Sequence, residues 1–359
     1  MKLAVAGGGT AGHVNPAIAL GRALQPDDVV FIGSSDGAEA TLVPAAGFTL
    51  ETIEVRGFDR ARPFSLPATG WRALGAVRTA RRLLKRMRPA AVIGMGGYVS
   101  LPVCVAARTM RIPVVLHEQN IVLGLANRVC KPFARVLAVS FEETLQVAGR
   151  KGVFVGNPVG RDVVSFDRDT ERARALERFS LDASRLTVLV FGGSQGAQRI
   201  NEATAGLAEK WHDRAGLQVV HIVGRKQSPL PDIATGGLIY RRVSFVERMV
   251  EAYAVADLAV CRGGATTLAE LTVVGLPAVV IPYPYHRDRQ QERQGRVLER
   301  AGAAVILDDA ETTPERLAAE VERLINDRSR LDAMRAAART LARPDAAERL
   351  AGVVRRATT

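Results

Sequence analysis

LAVAGGGTAGHVNP (residues 3–16) runs from a short apolar stretch into a glycine-rich turn and then into residues that can open a helix. LTVLVFGGSQGAQ (186–198) does the same in the second half of the chain. An apolar strand that feeds a helix through glycines is the start of a βαβ unit, whose strands lie parallel. The pattern recurs in DDVVFIG (27–33), AAVIGMGG (90–97), IPVVLHEQN (112–120), RVLAVS (135–140) and KGVFVGNP (151–158). It returns in LQVVHIVG (217–224), DLAVC (257–261) and PAVVIP (277–282). Each half therefore predicts its own Rossmann-like α/β domain with a parallel sheet, joined near the Gly- and Pro-rich GNPVGRD (156–162). The tail reads as helical. Thr313, Pro314 and Glu315 make a helix start, and Pro344 interrupts the pattern before a last helix near 345–356.

Composition agrees with that class. A chain of 359 residues has room for two domains, and 47% apolar residues supply a large core. No stretch approaches the roughly 20 apolar residues of a membrane span. MKLAVA lacks the apolar region and cleavage site of a signal peptide, so a cytoplasmic chain is expected. Cys104, Cys130 and Cys261 are far apart, with no C-x-x-C, which points to a reduced protein without a structural metal. A net charge of +12 favours an anionic partner: nucleic acid, lipid surface or phosphorylated substrate.

Gly7, Gly9 and Gly12 fit the G-x-G-x-x-G spacing of a dinucleotide loop. That use needs an acid at the end of the second strand to hold a ribose. Here the strand ends in Ser34 and Ser35, Asp36 and Glu39 come late, and His13 stands where a pyrophosphate would rest. NAD is therefore disfavoured. GGSQGAQ offers backbone N–H groups and Ser194 at a helix N-terminus, an arrangement suited to phosphate oxygens. In CRGGATTLAELTVVGLP (261–277), Gly263 and Gly264 allow close backbone approach, and Thr266 and Thr267 can cap a helix or meet a phosphate. Glu270 can favour the helix dipole or accept from a ribose diol. These features put a nucleoside diphosphate on the second domain and the reacting partner on the first.

GGGTAGHVNPAIALG, GMGGYVSLP, HEQNIVLGLANRV, GNPVGRD, GGSQGAQRIN, CRGGATTLAELTVVGLPAVVIPYP and HRDRQQ, in that order, span nearly the whole chain. Together they resemble the peptidoglycan N-acetylglucosaminyltransferases of glycosyltransferase family 28, which convert lipid I to lipid II. The resemblance implies a two-domain B-type (GT-B) fold. It puts residues 1–157 with a returning C-terminal helix (about 343–359) in the acceptor domain, and 158–342 in the UDP-GlcNAc domain. It also implies inverting transfer of GlcNAc from UDP-GlcNAc to the MurNAc 4-hydroxyl of undecaprenyl-pyrophosphoryl-MurNAc-pentapeptide, with no metal or other cofactor.

Carried over position by position, Ser194 and Thr267 would meet the diphosphate and Glu270 the ribose hydroxyls. The backbone near Val246 would read uracil. Ala265, Gln290, Gln291 and Asn120 would contact the donor sugar, and Thr10, Gly12 and Arg161 complete the donor set. His13 would be the catalytic base, with Gly9, Tyr98, Asn127 and Asn201 on the acceptor side. The arginine that often follows NPV directly comes one position later here, as Arg161 after Gly160.

Residues 56–88 hold ten Lys or Arg and a single acid, Asp59. Leu84 and Met87 read as core positions of a helix. Phe58, Phe64, Leu66, Trp71 and Arg72 read as a loop that precedes the regular helix and binds an anionic membrane surface. A peripheral place on the cytoplasmic face of the bacterial membrane follows, with other wall-synthesis or division proteins as further partners by resemblance. Two rival readings are a UDP-sugar epimerase or hydrolase of the same architecture and a nucleic-acid-binding protein. The basic–aromatic stretch opposes the first. The second lacks any recognition motif, and aromatics are only 5% of residues, leaving few stacking platforms.

Overall fold

The structure is a computed structural model that describes the chain except residues 56–65, 226–235, 287 and 359, and except the side chains of 66–73. It divides into two compact units: Met1–Gly160 with Arg343–Thr359, and Arg161–Ala342.

The first unit carries β1 (Lys2–Ala6), β2 (Asp28–Gly33), β3 (Thr49–Thr52), β4 (Ala91–Gly94), β5 (Val114–Glu118), β6 (Val136–Val139) and β7 (Gly152–Phe154). They form one parallel sheet in the order β3-β2-β1-β4-β5-β6-β7. Its helices are α1 (Ala11–Ala23), α2 (Glu39–Ala45), α3 (Leu66–Met87), α4 (Gly97–Thr109), α5 (Leu125–Cys130) and α6 (Leu145–Ala148).

In the second unit lie α7 (Arg161–Val164), α8 (Arg168–Phe179), α9 (Gln198–Lys210), α10 (Met249–Val255), α11 (Ala265–Val274), α12 (Gln290–Arg300), α13 (Pro314–Ile325) and α14 (Arg328–Thr340). Its strands are β8 (Leu186–Phe191), β9 (Leu217–Ile222), β10 (Ile239–Val243), β11 (Leu258–Cys261), β12 (Ala278–Val280) and β13 (Ala304–Ile306). They too are parallel, in the order β10-β9-β8-β11-β12-β13.

The central strands are covered on both faces, so they read as unbroken apolar runs. Leu3, Ala4, Val5 and Ala6 of β1 and Leu258–Cys261 of β11 are fully buried. Three strands absent from the sequence reading are β3, β10 and β13, and each is the edge of its sheet. β3 is half exposed, and β10 exposes the consecutive Arg241 and Arg242, one on each face. An edge strand keeps one side toward water, so its run is short and mixed.

In both sheets the chain starts centrally, winds one way and then returns to the other side. β1 has β2 on one side and β4 on the other; β8 has β9 and β11. Loops at the carboxyl ends of such a pair diverge and leave a crevice there. The glycine turns after β1 and β8 and the loops after β4 and β11 stand at these two points.

α3 begins at Leu66, so Leu66 and Trp71 belong to the helix and not to a loop before it. Pro67 does not prevent this, because a proline in the first turn removes no intrahelical hydrogen bond. Phe58 and Phe64, and the side chains of Leu66, Trp71 and Arg72, lie outside the described residues. Further along α3, Leu84 is buried and Met87 packs against the core. Among the described residues no helix is long and apolar enough to cross a membrane.

The last helix, α15 (Ala346–Thr358), belongs to the first unit and packs on α1. Leu350, Ala351, Val353 and Val354 complete a core shared with Leu3, Leu20 and Leu24. Leu350 is fully buried. Leu350→Ala is expected to lower the stability of this unit by about 2–5 kcal/mol, as for other buried leucines, measured by denaturant unfolding.

Candidate functional site

The first cluster forms where the turns after β1, β4 and β5 meet. Gly9 adopts φ +97, beyond the reach of most side chains, and Thr10 then starts α1. A β-carbon on Gly9 would lie 3.3 Å from the Tyr98 ring, and one on Gly97 would lie 2.6 Å from the Gly8 carbonyl oxygen. The two turns thus cross backbone to backbone. His13 comes one turn into α1 and is partly exposed; its Nδ1 lies 3.2 Å from the Thr10 hydroxyl. Its ring edge borders Gly96, where an added β-carbon would sit 3.4 Å from His13 Nε2 and 3.5 Å from Gln119 Oε1. Burial lowers the His13 pKa, and the nearby Glu39 carboxylate partly offsets this.

Glu39 is the unexpected member. Its side chain is buried and turns into the glycine loop. It accepts from the Gly9 N–H at 2.8 Å and from the Ser34 N–H and hydroxyl at 2.8 and 2.6 Å. The residue that comes too late to hold a dinucleotide ribose is instead a built-in anion for this turn. The sequence signal was there, since Ser34 and Glu39 flank Gly37, but it pointed to a ligand and not to the protein's own backbone.

HEQN, at the end of β5, is a network. Gly156 O can only accept, so His117 donates Nε2–H to it at 3.2 Å and takes the Gln119 amide N–H on Nδ1 at 3.1 Å. Burial holds His117 near pKa 4, so it stays neutral. Gln119 also donates to Met95 O, and its Oε1 is buried without a partner. Glu118 accepts from the Asn120 N–H, the Gly124 N–H and the Asn127 side chain. Burial raises its pKa, and these hydrogen bonds pull it back. Asn127 is itself buried and also donates to His117 O. Its N–H₂ group is spent on tying the loop together, while its Oδ1 is buried without a partner among the described residues. Asn120 is partly exposed.

The second cluster lies in the other unit. After β8, Gly193 and Gly196 take φ +95 and +81, and exposed Ser194 stands between them. A β-carbon on Gly224 would lie 2.2 Å from the Gly196 nitrogen, so the turn after β9 presses on this loop. Phe245 stacks under Arg225 at 3.8 Å, and Val246 beside it is buried. Asn201 is buried within the same support. It accepts from His221 Nε2–H at 3.0 Å and donates to Val223 O at 2.9 Å.

After β11, Gly264 caps α11 and Ala265 and Thr267 form its first turn. α12 packs onto the same backbone, since a β-carbon on Gly263 would meet Gln291 O at 2.6 Å. This brings Gln290 and Gln291 to the start of α11. Gln290 bonds His286 at 3.0 Å, and Gln291 accepts the Tyr283 N–H at 2.9 Å. Glu270, one turn further along α11, accepts from the Tyr253 hydroxyl at 2.7 Å. Burial pushes its carboxyl up to about 7 despite that bond, and Asp162 adds to the rise. Arg161 is exposed on α7, which packs beside α11.

α1, α9 and α11, which follow the glycine turns, receive no side-chain cap from Thr10, Ala197 or Gly264. α8, α13 and α14 are capped by Asp167, Thr313 and Asp327, while α2, α4, α5, α6, α10 and α12 also lack a side-chain cap. Uncapped helix N-termini at a crevice are ready to meet negative charge.

The chain matches the glycosyltransferase family 28 N-terminal domain over residues 3–139 and the family 28 C-terminal domain over 187–350. A relative from Nocardioides sp. is 42% identical, covering 99% of this chain and 97% of its own length. One from Halothermothrix orenii is 39% identical, covering 99% and 98%. Both are UDP-N-acetylglucosamine–N-acetylmuramyl-(pentapeptide) pyrophosphoryl-undecaprenol N-acetylglucosamine transferases. The crystal structure of Acinetobacter baumannii MurG is similar, with TM-score 0.75 and 29% identity over 99% of each chain. The chain belongs to this family of GT-B N-acetylglucosaminyltransferases.

Glu39→Gln presents an amide N–H₂ to backbone N–H groups that now meet a carboxylate. A loss of roughly 1–3 kcal/mol in stability is expected, the usual cost of spoiling a buried charged hydrogen bond. Removing the negative charge should also lower the His13 titration midpoint, followed by NMR of the imidazole protons. An unchanged midpoint would mean that the carboxylate does not act on the ring.

Proposed function

We infer that the chain transfers N-acetylglucosamine from UDP-N-acetylglucosamine to undecaprenyl-pyrophosphoryl-MurNAc-pentapeptide, the step that completes the lipid-linked disaccharide for peptidoglycan. The observation that carries this is end-to-end agreement with transferases of that name at 39% and 42% identity. The test is incubation with labelled UDP-GlcNAc and a lipid I analogue. Label in the lipid product supports the reading, and UDP release independent of the acceptor opposes it.

The second unit is assigned the donor. Ser194 with its loop and Thr267 at the start of α11 would hold the diphosphate with backbone and hydroxyl donors. Leaving-group charge then grows against oriented dipoles. Glu270 would accept from the ribose diol, and the backbone at Val246 would read the base. The N–H of Ala265, with Gln290 and Gln291, would contact the sugar.

The first unit is assigned the acceptor, with His13 as general base. If Nδ1–H donates to the Thr10 hydroxyl, Nε2 keeps its lone pair, on the ring edge that borders Gly96. A hydroxyl there can pass its proton to Nε2 as its oxygen attacks the anomeric carbon from the side opposite UDP, inverting the α-linkage to β. A base whose pKa burial has lowered stays deprotonated in neutral solution. Gly9 N–H is already engaged by Glu39, so the role given to this loop is to aim His13.

Peripheral attachment to an anionic membrane is assigned to the start of α3 and the residues before it. Its described part supports this: Arg78, Arg81, Arg82, Lys85 and Arg86 are exposed, as is Leu74. Basic groups beside apolar ones suit such a surface.

His13→Ala should lower kcat by about 10²–10⁴-fold, the usual contribution of a general base, with UDP-GlcNAc affinity nearly constant. In the wild type, activity should fall with acid as His13 gains its proton, at a pH below the ordinary histidine midpoint of ~6.5. The pH–rate profile of the mutant should lack that limb. Replacing Phe64, Leu66 and Trp71 with Ser should reduce flotation with anionic vesicles and leave soluble donor binding intact. High salt should weaken wild-type flotation, because exposed charges are screened.

A further inference from the structure

Tyr253 has no place in the assignments above, and the sequence EAYAVAD gives it no mark beyond helical spacing. It is 2% exposed, on α10, with its ring beside Phe191 at the end of β8. Its hydroxyl donates to Glu270 Oε2 at 2.7 Å. Among the described residues Glu270 has no other hydrogen-bond partner, so Oε1 is left to accept. A buried phenol that donates its one proton to a carboxylate is satisfied, and the bond restricts that carboxylate to one orientation.

We infer that Tyr253 is the positioning residue of the ribose site: its buried O–H fixes Glu270 with Oε1 free for a vicinal diol. The inference rests on the reading of Glu270 as the ribose acceptor and deepens it. It also makes donor binding sensitive to protons. The carboxyl sits near 7 in the empty site because burial raises it; the Tyr253 bond lowers it and Asp162 on α7 raises it. Cys261 and Asp162 are the other titratable groups acting on the phenol, and burial keeps both the phenol and the Cys261 thiol protonated. Ribose hydroxyls donate to the ionised carboxylate better than to the acid. Binding therefore favours the ionised form, releases a proton below pH 7, and strengthens as pH rises to that point. Removing the Tyr253 hydroxyl removes the one hydrogen bond that favours ionisation, so the midpoint must move up.

The test is UDP binding by calorimetry from pH 6 to 9, on the full chain, for wild type, Tyr253→Phe, Glu270→Gln and the double mutant. 2′,3′-Dideoxy-UDP is the probe that lacks the diol. Tyr253→Phe should weaken UDP about tenfold at pH 7, the loss of one hydrogen bond to a charged group, and recover toward pH 9. Its effect should vanish in the Glu270→Gln background and with dideoxy-UDP. Thermal melting checks that the variant is folded, and a merely structural role for the phenol would not move the pH midpoint. If wild type binds UDP and dideoxy-UDP alike, the ribose reading itself fails. If wild type discriminates, Glu270→Gln does not, and Tyr253→Phe binds UDP as wild type does at every pH, the Tyr253 inference alone is overturned. Equal loss of both nucleotides in Tyr253→Phe overturns it as well.

Discussion

Each half of the molecule is organised by places where two stretches of backbone meet with no room for a β-carbon. Gly97 against Gly8 O, Gly224 against the Gly196 nitrogen and Gly263 against Gln291 O are such crossings, at 2.6, 2.2 and 2.6 Å for the missing carbon. All three occur at the carboxyl ends of strands beside the point where the sheet order reverses. Any side chain there would push the loops apart. The crossings bring polar groups from separate strands to one locality: His13, Tyr98 and Gln119 in the first unit, and Gly196, Arg225 and Val246 or Ala265, Gln290 and Gln291 in the second. The chemistry assigned to these residues needs positions fixed to a fraction of an ångström, and glycine backbones supply that by packing tightly.

The two clusters treat charge differently. In the first, the loop after β1 already holds an anion of its own, Glu39, bonded to Gly9 and Ser34. In the second, Ser194 is exposed and α9 and α11 start without a side-chain cap from Ala197 or Gly264. That contrast fits an assignment in which a diphosphate rests on the second unit while the first positions a neutral base. The charge of the chain, +12, is then a property of its surface and says little about either site.

Much of this was legible in the sequence because central parallel strands are long, apolar and end in glycine. The two-sheet α/β class follows from β1, β4, β8 and β11 alone. The edge strands β3, β10 and β13 were not legible, since half of each faces water and the apolar run is lost. The start of α3 was misplaced because Pro67 and Gly70 resemble a loop until the helix is seen to begin at Leu66. The site was legible as motifs but not as bonds. Nothing in the order of residues shows that Glu39 reaches back to Gly9, that Tyr253 meets Glu270, or that the Asn201 amide and the Asn127 N–H₂ group bond inside the protein. These pairings depend on which strand ends lie side by side, a fact of topology and not of local pattern.

The C-terminal helix has a consequence for how the molecule is made. Because α15 completes the core around Leu3 and Leu20, the first unit is interrupted by the whole of the second. On a ribosome, residues 1–160 emerge early but lack a wall of their interior until residues 346–358 have been synthesised. The second unit, continuous in the chain, can finish folding before the first does. Until α15 has been synthesised, the apolar surface of α1 that later receives Leu350 and Val354 stays open to water. A nascent chain stalled between the two events would carry an exposed hydrophobic face, the kind of surface that chaperones recognise.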